Sequence, residues 1–343
     1  MGVQIQKGGK ILIALIGLML ILFVVYKLGM LDGLTGGKTD KKDGEVKDGK
    51  LPEKVLDKVR QTGVLRVGME AEAPPMNYME KGQRDGFDYQ MAQEIAQRIG
   101  ANRAEIVEAD YDDLPNLLKQ GKIDAMMGGY VPDPAIENVE WSDGYLDFGL
   151  CLIVKRSSAI SDVKHLTGKK IGIYDDPAAE TWVKENVTQP KEVKKYTGTG
   201  WFAKLDQGEV DAIIYDYPFA VAEIKSFPKL KIVKLNLNAS RYAVGVAIKN
   251  DDLISAINRA IGDILNSERY SNLVQKYLST SAVETGAIAK GSKTYTVKAG
   301  DTLSKIAQNQ LGNKDDWEKI WALNKNRLAN PHLITVGFQL LMP

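Results

Sequence analysis

Two segments of this chain carry one pattern. "LKQGKIDAMMGGY" at 118–130 and "LDQGEVDAIIYDY" at 205–217 coincide at Leu, Gln, Gly, Asp, Ala and Tyr, with apolar residues elsewhere in the strand. Each reads as a helix end, a glycine stop and a buried strand. A weaker echo in the same order pairs "RVGME" at 66–70 with "KIGIY" at 170–174. Two echoes in one order predict two lobes of similar build. Around them, "VLRVGM" reads as a strand, and "FDYQMAQEIAQRIG" sets Phe87, Met91, Ile95 and Ile99 on one helical face before Gly100. "DDLPNLLKQG" is a short helix ending at Gly121 and "KIDAMM" the next strand. This alternation predicts an α/β fold with mostly parallel strands. In such sheets ligands lie beyond the carboxyl ends of the strands. A shared cleft would therefore be lined by Glu70, Gly128, Gly129 and Tyr130 from one lobe and by Asp175, Asp176, Asp216 and Tyr217 from the other.

Composition narrows the function classes. The 343 residues suffice for two or three domains. Lys and Arg number 45 against 44 acidic residues, a net charge of +1; with no basic stripe, nucleic acid is not an expected partner. The single Cys151 lies in an apolar run and reads as core, and one cysteine excludes an internal disulfide and a thiolate zinc cage. His165 and His332 stand far apart without metal-ligand spacing. No metal, cofactor or catalytic residue is expected.

The N-terminus holds an uninterrupted apolar run from Ile11 to Tyr26 between Lys10 and Lys27. As a helix it spans about 24 Å, and flanking lysines with Leu28 to Leu31 can extend it across a bilayer. A cleaved signal peptide is the rival, but no A-x-A pattern follows and no cysteine stands ready for a lipid. Residues 1–31 are thus expected to be a cytoplasmic tail and transmembrane anchor, with the rest outside, facing the periplasm or cell-wall space. Residues 32–50, rich in Gly, Lys and Asp, read as a flexible linker, and 281–293 as a second linker.

Between these linkers, "LRVGMEAEAPPMNY", "GFDYQMAQEIA", "LLKQGKIDAMMGGY", "VEWSDGYL", "LTGKKIGIY" and "GEVDAIIYDYPFA" resemble the family 3 extracellular solute-binding proteins. That family has the two-lobed type II periplasmic binding fold and captures amino acids for ABC importers. The resemblance implies a domain over 51–280, with lobe I at about 51–149 and 246–280 and lobe II at about 150–245. It places the crossings near Gly149 to Leu152 and Tyr242 to Val246. It also implies that Asp216 takes a ligand ammonium group, that Glu70 assists, and that Tyr111 is an aromatic shelf. The family's carboxylate-binding Arg is missing, because the matching position falls on Ala135 or Ile136, and 123–154 carries six acidic residues with no Lys or Arg. Asp175, Asp176 and Pro177 replace its usual small polar contacts. An acidic cleft with aromatic faces at Tyr111, Tyr130, Tyr217 and Trp182 suits an organic cation. Against this stand plainer readings: Asp133, Asp175 and Asp176 as turn residues beside prolines, and Tyr130 and Tyr217 as packing residues.

The last segment, 294–343, reads strand, helix, helix, strand, with Thr302 capping the first helix and Asp315 or Asp316 the second. "YTVKAGDTLSKIA" and "NPHLITVGFQLLMP" resemble the lysin motif (LysM), a binder of peptidoglycan and chitin. The resemblance implies a glycan groove between Gly300, Asp301, Thr302 and Leu303 and, opposite, Asn330, Pro331, His332, Leu333 and Ile334. Leu303 and Ile334 could instead be core. The expectation is a non-enzymatic, membrane-anchored, wall-bound solute-binding or sensing protein with a small cationic ligand, partnered by an ABC importer or cell-wall enzymes. Its alternatives are a degenerate cleft that regulates wall enzymes, and a dehydratase of the same fold using Glu180 or Asp175.

Overall fold

The computed structural model describes residues 54–343 apart from Gly286 and Ala299. The expected anchor at 1–31 and linker at 32–50 lie outside the described residues, among which no helix is long and apolar enough to cross a membrane.

The first lobe opens with α1 (Val55–Thr62), β1 (Val64–Met69) and a hairpin, β2 (Tyr78–Glu80) and β3 (Gln83–Asp85). In α2 (Phe87–Arg98) the spacing of Phe87, Met91 and Ile95 puts all three, with the following Ile99, in the core. Then come β4 (Arg103–Glu108), α3 (Leu114–Lys119), β5 (Ala125–Met126) and β6 (Val139–Phe148). Gly149 alone separates β6 from β7 (Leu150–Lys155), the first strand of the second lobe. That lobe continues with β8 (Lys170–Tyr174), α4 (Pro177–Asn186), β9 (Glu192–Tyr196), α5 (Ala203–Gln207), β10 (Ala212–Asp216), α6 (Tyr217–Ile224) and β11 (Leu230–Lys234). The chain returns through β12 (Ser240–Ala247) and packs α7 (Asp251–Leu265) and α8 (Glu268–Leu278) on the first lobe.

The sheets run β4-β1-β5-β12-β6 and β9-β8-β10-β7-β11, the same order twice. In each, four strands point one way and one, β12 or β7, runs antiparallel to both of its neighbours. The strands are mostly parallel as expected, and each sheet is mixed through one strand: β7 and β12, which enter a lobe from the other one, run against their neighbours. The echo in sequence is an echo in hydrogen bonding. Asp124 Oδ2 accepts from the N–H of Arg66 at 2.9 Å, and Asp211 Oδ2 from the N–H of Lys170 at 2.8 Å, each tying the middle strand to its parallel neighbour. Gly121 and Gly208 end the preceding helices at φ 66° and 84°, where a side chain would be strained.

Two boundaries differ from the sequence reading. The second crossing falls at 235–239, not at 242–246, because Tyr242 to Val246 are buried strand residues paired with β6. The stretch from 281 is not free linker at its start: Ile232 donates its N–H to the Ala282 carbonyl and accepts from Glu284, both at 2.8 Å, so 282–284 covers the edge of β11.

The C-terminal module consists of β13 (Thr294–Thr296), α9 (Leu303–Leu311), α10 (Trp317–Asn324) and β14 (Gln339–Leu341), around Val297, Leu303, Ile306, Ala307, Ile320 and Leu340. Thr302 caps α9 through the Lys305 N–H at 3.2 Å. The turn before α10 is capped by Asn313, whose Oδ1 accepts from Asp315 N–H at 3.0 Å, and neither Asp315 nor Asp316 caps by its side chain.

Candidate functional site

At the end of β5 the backbone turns through Gly128 and Gly129, at φ 113° and 85°. Their N–H groups both donate to Asp88 Oδ2, at 2.9 and 3.0 Å, and the Tyr145 hydroxyl donates to the same oxygen at 2.8 Å. Asp88 is fully buried on α2, and its Oδ1 has no partner. Burial pushes its carboxyl up to about 7 against the pull of these three donors. The two glycines are thus not free anion donors. Their expected role in holding a ligand is corrected to that of a backbone wall whose N–H groups are already satisfied.

Above that wall the aromatic side chains divide into shelf and support. Tyr111, 36% exposed, stacks on Tyr130 with ring centroids 4.0 Å apart. Tyr130 is buried and donates its hydroxyl to the Tyr111 carbonyl, so it supports the shelf from below. Glu70 is half-buried beside them; burial raises its carboxyl and the charge of Asp110 raises it further, with the Tyr111 N–H opposing. The Tyr111 hydroxyl is raised by burial and then by Glu70, Asp112, Asp216 and Asp133, so acids of both lobes surround this ring.

From the second lobe, Asp216 ends β10 with the Tyr242 hydroxyl 3.4 Å from its Oδ2. Burial raises its carboxyl to about 7 and the charge of Asp176 adds to the shift, while Tyr242 opposes it. Phe219 reaches across from α6: a Cβ placed on Gly129 would lie 3.2 Å from its Cζ and 3.6 Å from that of Tyr242. Tyr217 points elsewhere. It is buried and donates its hydroxyl to the Leu278 carbonyl at 2.9 Å, so its expected cleft role is corrected to packing. Both tyrosines of the sequence echo are thereby support groups bonded to backbone carbonyls.

The other second-lobe acids have partners. Asp176 caps α4, its Oδ1 accepting from Ala178 and Ala179 N–H at 2.8 and 3.0 Å. Asp175 is half-exposed and ion-paired to Lys195 at 3.2 Å, and Lys195 also holds Glu180 at 2.7 Å. Asp133 closes a turn onto Ala135 N–H at 2.8 Å. Trp182 donates to the Leu237 carbonyl at 3.0 Å and packs in the second-lobe core. The segments that carry the strand ends, 70–80, 107–118, 123–154, 175–183 and 212–224, contain no Lys or Arg.

Four residues of this site escaped the sequence reading: Asp88, Tyr145, Phe219 and Tyr242. A signal existed for Asp88, which lies on the apolar stripe with Met91 and Ile95, where a charge is out of place. Phe219 follows the echo by two residues, beyond the stretch that the repeat brings to notice.

In the module, Gly300 has φ 79° and Asp301 Oδ2 accepts from the Tyr295 hydroxyl at 2.9 Å and Lys298 N–H at 2.7 Å. Thr302 is the cap already described and Leu303 is core. The opposite loop faces the two-lobed domain. Asn330 is buried and donates to the Asp147 carbonyl at 2.9 Å, His332 stands edge-on to Tyr270 at 4.8 Å, and Leu333 joins the main core. Pro331 is half-buried and Ile334 packs on the module's own core. In this docked arrangement Asn330 and His332 are engaged by the two-lobed domain, and Leu333 lines a cavity between module and lobes with Tyr217, Leu235 and Leu328.

The sequence profile of the bacterial extracellular solute-binding proteins, family 3, matches residues 65–280, and that of the LysM domain matches 295–343. The L-cystine-binding protein TcyJ of Escherichia coli (strain K12) is 27% identical over 239 residues, covering 68% of this chain and 89% of that protein. The arginine-binding extracellular protein ArtP of Bacillus subtilis (strain 168) is 25% identical over 222 residues, covering 63% and 86%. Among solved structures, an ancestral arginine-binding protein bound to arginine superposes with a TM-score of 0.52 at 30% identity, covering 63% of this chain and 99% of that one. An ancestral amino acid-binding protein, described as a precursor of cyclohexadienyl dehydratase, gives a TM-score of 0.56 at 24% identity over 66% of this chain and all of that one, and bears on the fold alone.

Proposed function

The chain belongs to the bacterial extracellular solute-binding proteins of family 3 and carries a LysM domain, and from that premise we propose that its lobes close on a small organic cation while the LysM domain holds peptidoglycan. One observation carries the choice of ligand. Glu70 and Asp216, one from each lobe, both act on the Tyr111 hydroxyl, Phe219 lies beside Gly129, the strand-end segments carry no Lys or Arg, and the glycine N–H groups are already spent on Asp88. A carboxylate entering there meets two carboxyl groups and neither a cationic side chain on those segments nor a free glycine N–H. An ammonium finds ion pairs and aromatic faces. Relatives named for arginine, histidine and cystine extend the reading to amine-bearing solutes; the cleft favours those without a carboxylate, such as polyamines or quaternary amines.

The reading is non-enzymatic. Asp175 and Glu180, the two acids open to a dehydratase role, are both ion-paired to one lysine, Lys195. The apolar run at 11–26 supplies a membrane anchor, and a protein held at both membrane and wall suits local sensing as well as it suits delivery to an importer. The test is a thermal-shift screen of residues 52–343 with spermidine, choline, arginine and glutamate. Ligand at about 100 times its Kd adds about 2.7 kcal/mol, a rise of several degrees. Spermidine or choline should raise the melting point, and Asp216→Ala should abolish the rise. A response to arginine alone, or to none of the four, would sink the carboxylate-free cation as ligand.

A further inference from the structure

Lobe closure in a two-lobed binding protein is absorbed by the few residues at which the chain crosses between lobes. Here those are Gly149 and 235–239. The two crossings are packed side by side: the Leu150 N–H donates to Asn238 Oδ1 at 2.6 Å, and a Cβ on Gly149 would lie 2.5 Å from the Asn238 carbonyl oxygen. One loop of the LysM module is bonded to the second crossing and to the end of β6 just before the first. Asn236 Nδ2 donates to the carbonyls of Lys325 at 2.6 Å and Leu328 at 3.0 Å. Asn330 Nδ2 donates to the carbonyl of Asp147, two residues before Gly149.

The same loop is pinned to the first lobe. Gln275 on α8 donates to the carbonyls of His332 and Ile334 at 3.0 and 2.9 Å, and Ser271 Oγ lies 3.3 Å from His332 Nδ1. Beneath His332, the Tyr270 hydroxyl donates to the Tyr145 carbonyl, and Tyr145 in turn bonds the Asp88 that fixes the cleft wall. These bonds engage 325–334, a stretch that includes the 330–334 loop assigned above to glycan.

We propose that the docked LysM module is a latch on the hinge: it holds both crossings while docked, and glycan bound to the 330–334 loop displaces it and frees the lobes. The glycan half of this rests on the wall-binding reading of the module; the latch half rests on the contacts alone. Linkage makes the coupling reciprocal, so whatever undocks the loop also raises glycan affinity.

The test uses the full chain in mild detergent and two variants altered only on the two-lobed side, Asn236→Ala/Gln275→Ala and the single Gln275→Glu, whose carboxylate cannot donate to the loop carbonyls. Hydrogen exchange is followed at 147–150, 235–240 and 330–334, and affinity is measured by co-sedimentation with purified peptidoglycan sacculi. Faster exchange at all three segments in the variants, several-fold tighter sedimentation, and faster exchange at the crossings of the unaltered chain on adding sacculi are the expected results. Unchanged exchange at the crossings in both variants overturns the latch. Faster exchange with sacculi affinity unchanged overturns the competition between glycan and docking. If sacculi bind none of the proteins while the crossings still loosen, the latch stands and the wall-binding reading falls with its glycan trigger.

Discussion

Asp216 stands where the repeat has Gly129, and that one substitution between equivalent strand ends gives the cleft its charge. In the unliganded fold its carboxyl is held near 7 rather than the usual 3.8. A cation pairs only with the ionised form, so affinity should be full above pH 7 and fall as pH drops through it. About one tenth of the carboxyl is ionised one unit below its pKa, and isothermal titration with spermidine should therefore give roughly ten-fold weaker binding at pH 6 than at pH 8. Asp216→Asn should bind weakly with a flatter profile. Unliganded stability has its own dependence. Asp88 and Asp216 keep protons that the unfolded chain releases above about pH 4, so stability declines as pH rises toward 7 and levels off beyond it. Asp88→Ala should cost roughly 3 kcal/mol or more in urea unfolding, because two N–H groups and a hydroxyl lose their buried acceptor. Asp88→Asn should cost about 1 kcal/mol, since an amide oxygen can accept the same bonds without a buried charge. Residue types alone could point to the Asp216 strand end, but not to the burial of Tyr217 or to the glycine N–H groups being spent. Those depend on partners at Leu278 and Asp88, remote in sequence and without a shared motif.

Among the elements, the strands and helices were legible because period and glycine stops agree with the tertiary fold: β1, α2 and α3 lie where the pattern sets them. The crossings were less so. "LNLNAS" at 235–240 carries the second crossing, while the neighbouring "RYAVGVA" is a strand from its first residues, a distinction that composition makes and family analogy blurs. Packing at these crossings can be tested with one added methyl. Gly149→Ala meets the Asn238 carbonyl and the Asn236 Cα at 2.5 and 2.8 Å, backbone that cannot rotate away. A loss of about 2 kcal/mol in urea unfolding is expected. Gly262 on α7 is the contrast. Nothing lies within 4 Å of its added Cβ, so Gly262→Ala should stabilise by roughly 0.5 to 1 kcal/mol through helix propensity alone. Equal effects from the two changes would mean that the crossings are looser than their contacts imply.

At the scale of the whole molecule, the LysM module was legible from its end motifs, whereas its seat on the hinge was not. The groups that make that seat, Asn236, Gln275 and Asn330, are ordinary surface amides in sequence, and only their convergence on backbone carbonyls gives them a role. Docking also buries apolar surface: Ala329 and Leu333 of the module belong to the same core as Tyr217 and Leu235. A module that merely hung from a tether would leave the two-lobed domain indifferent to its removal. The docked one should not. Burying one leucine side chain contributes about 2 kcal/mol, and for a domain of this size that corresponds to a shift of about 5 °C. Residues 52–343 should therefore melt in a single calorimetric transition, and residues 52–284 should melt several degrees lower. Two separate transitions in the longer chain, with the upper or lower one matching the truncated protein, would show that module and lobes unfold independently and that the hinge is held by its own strands alone.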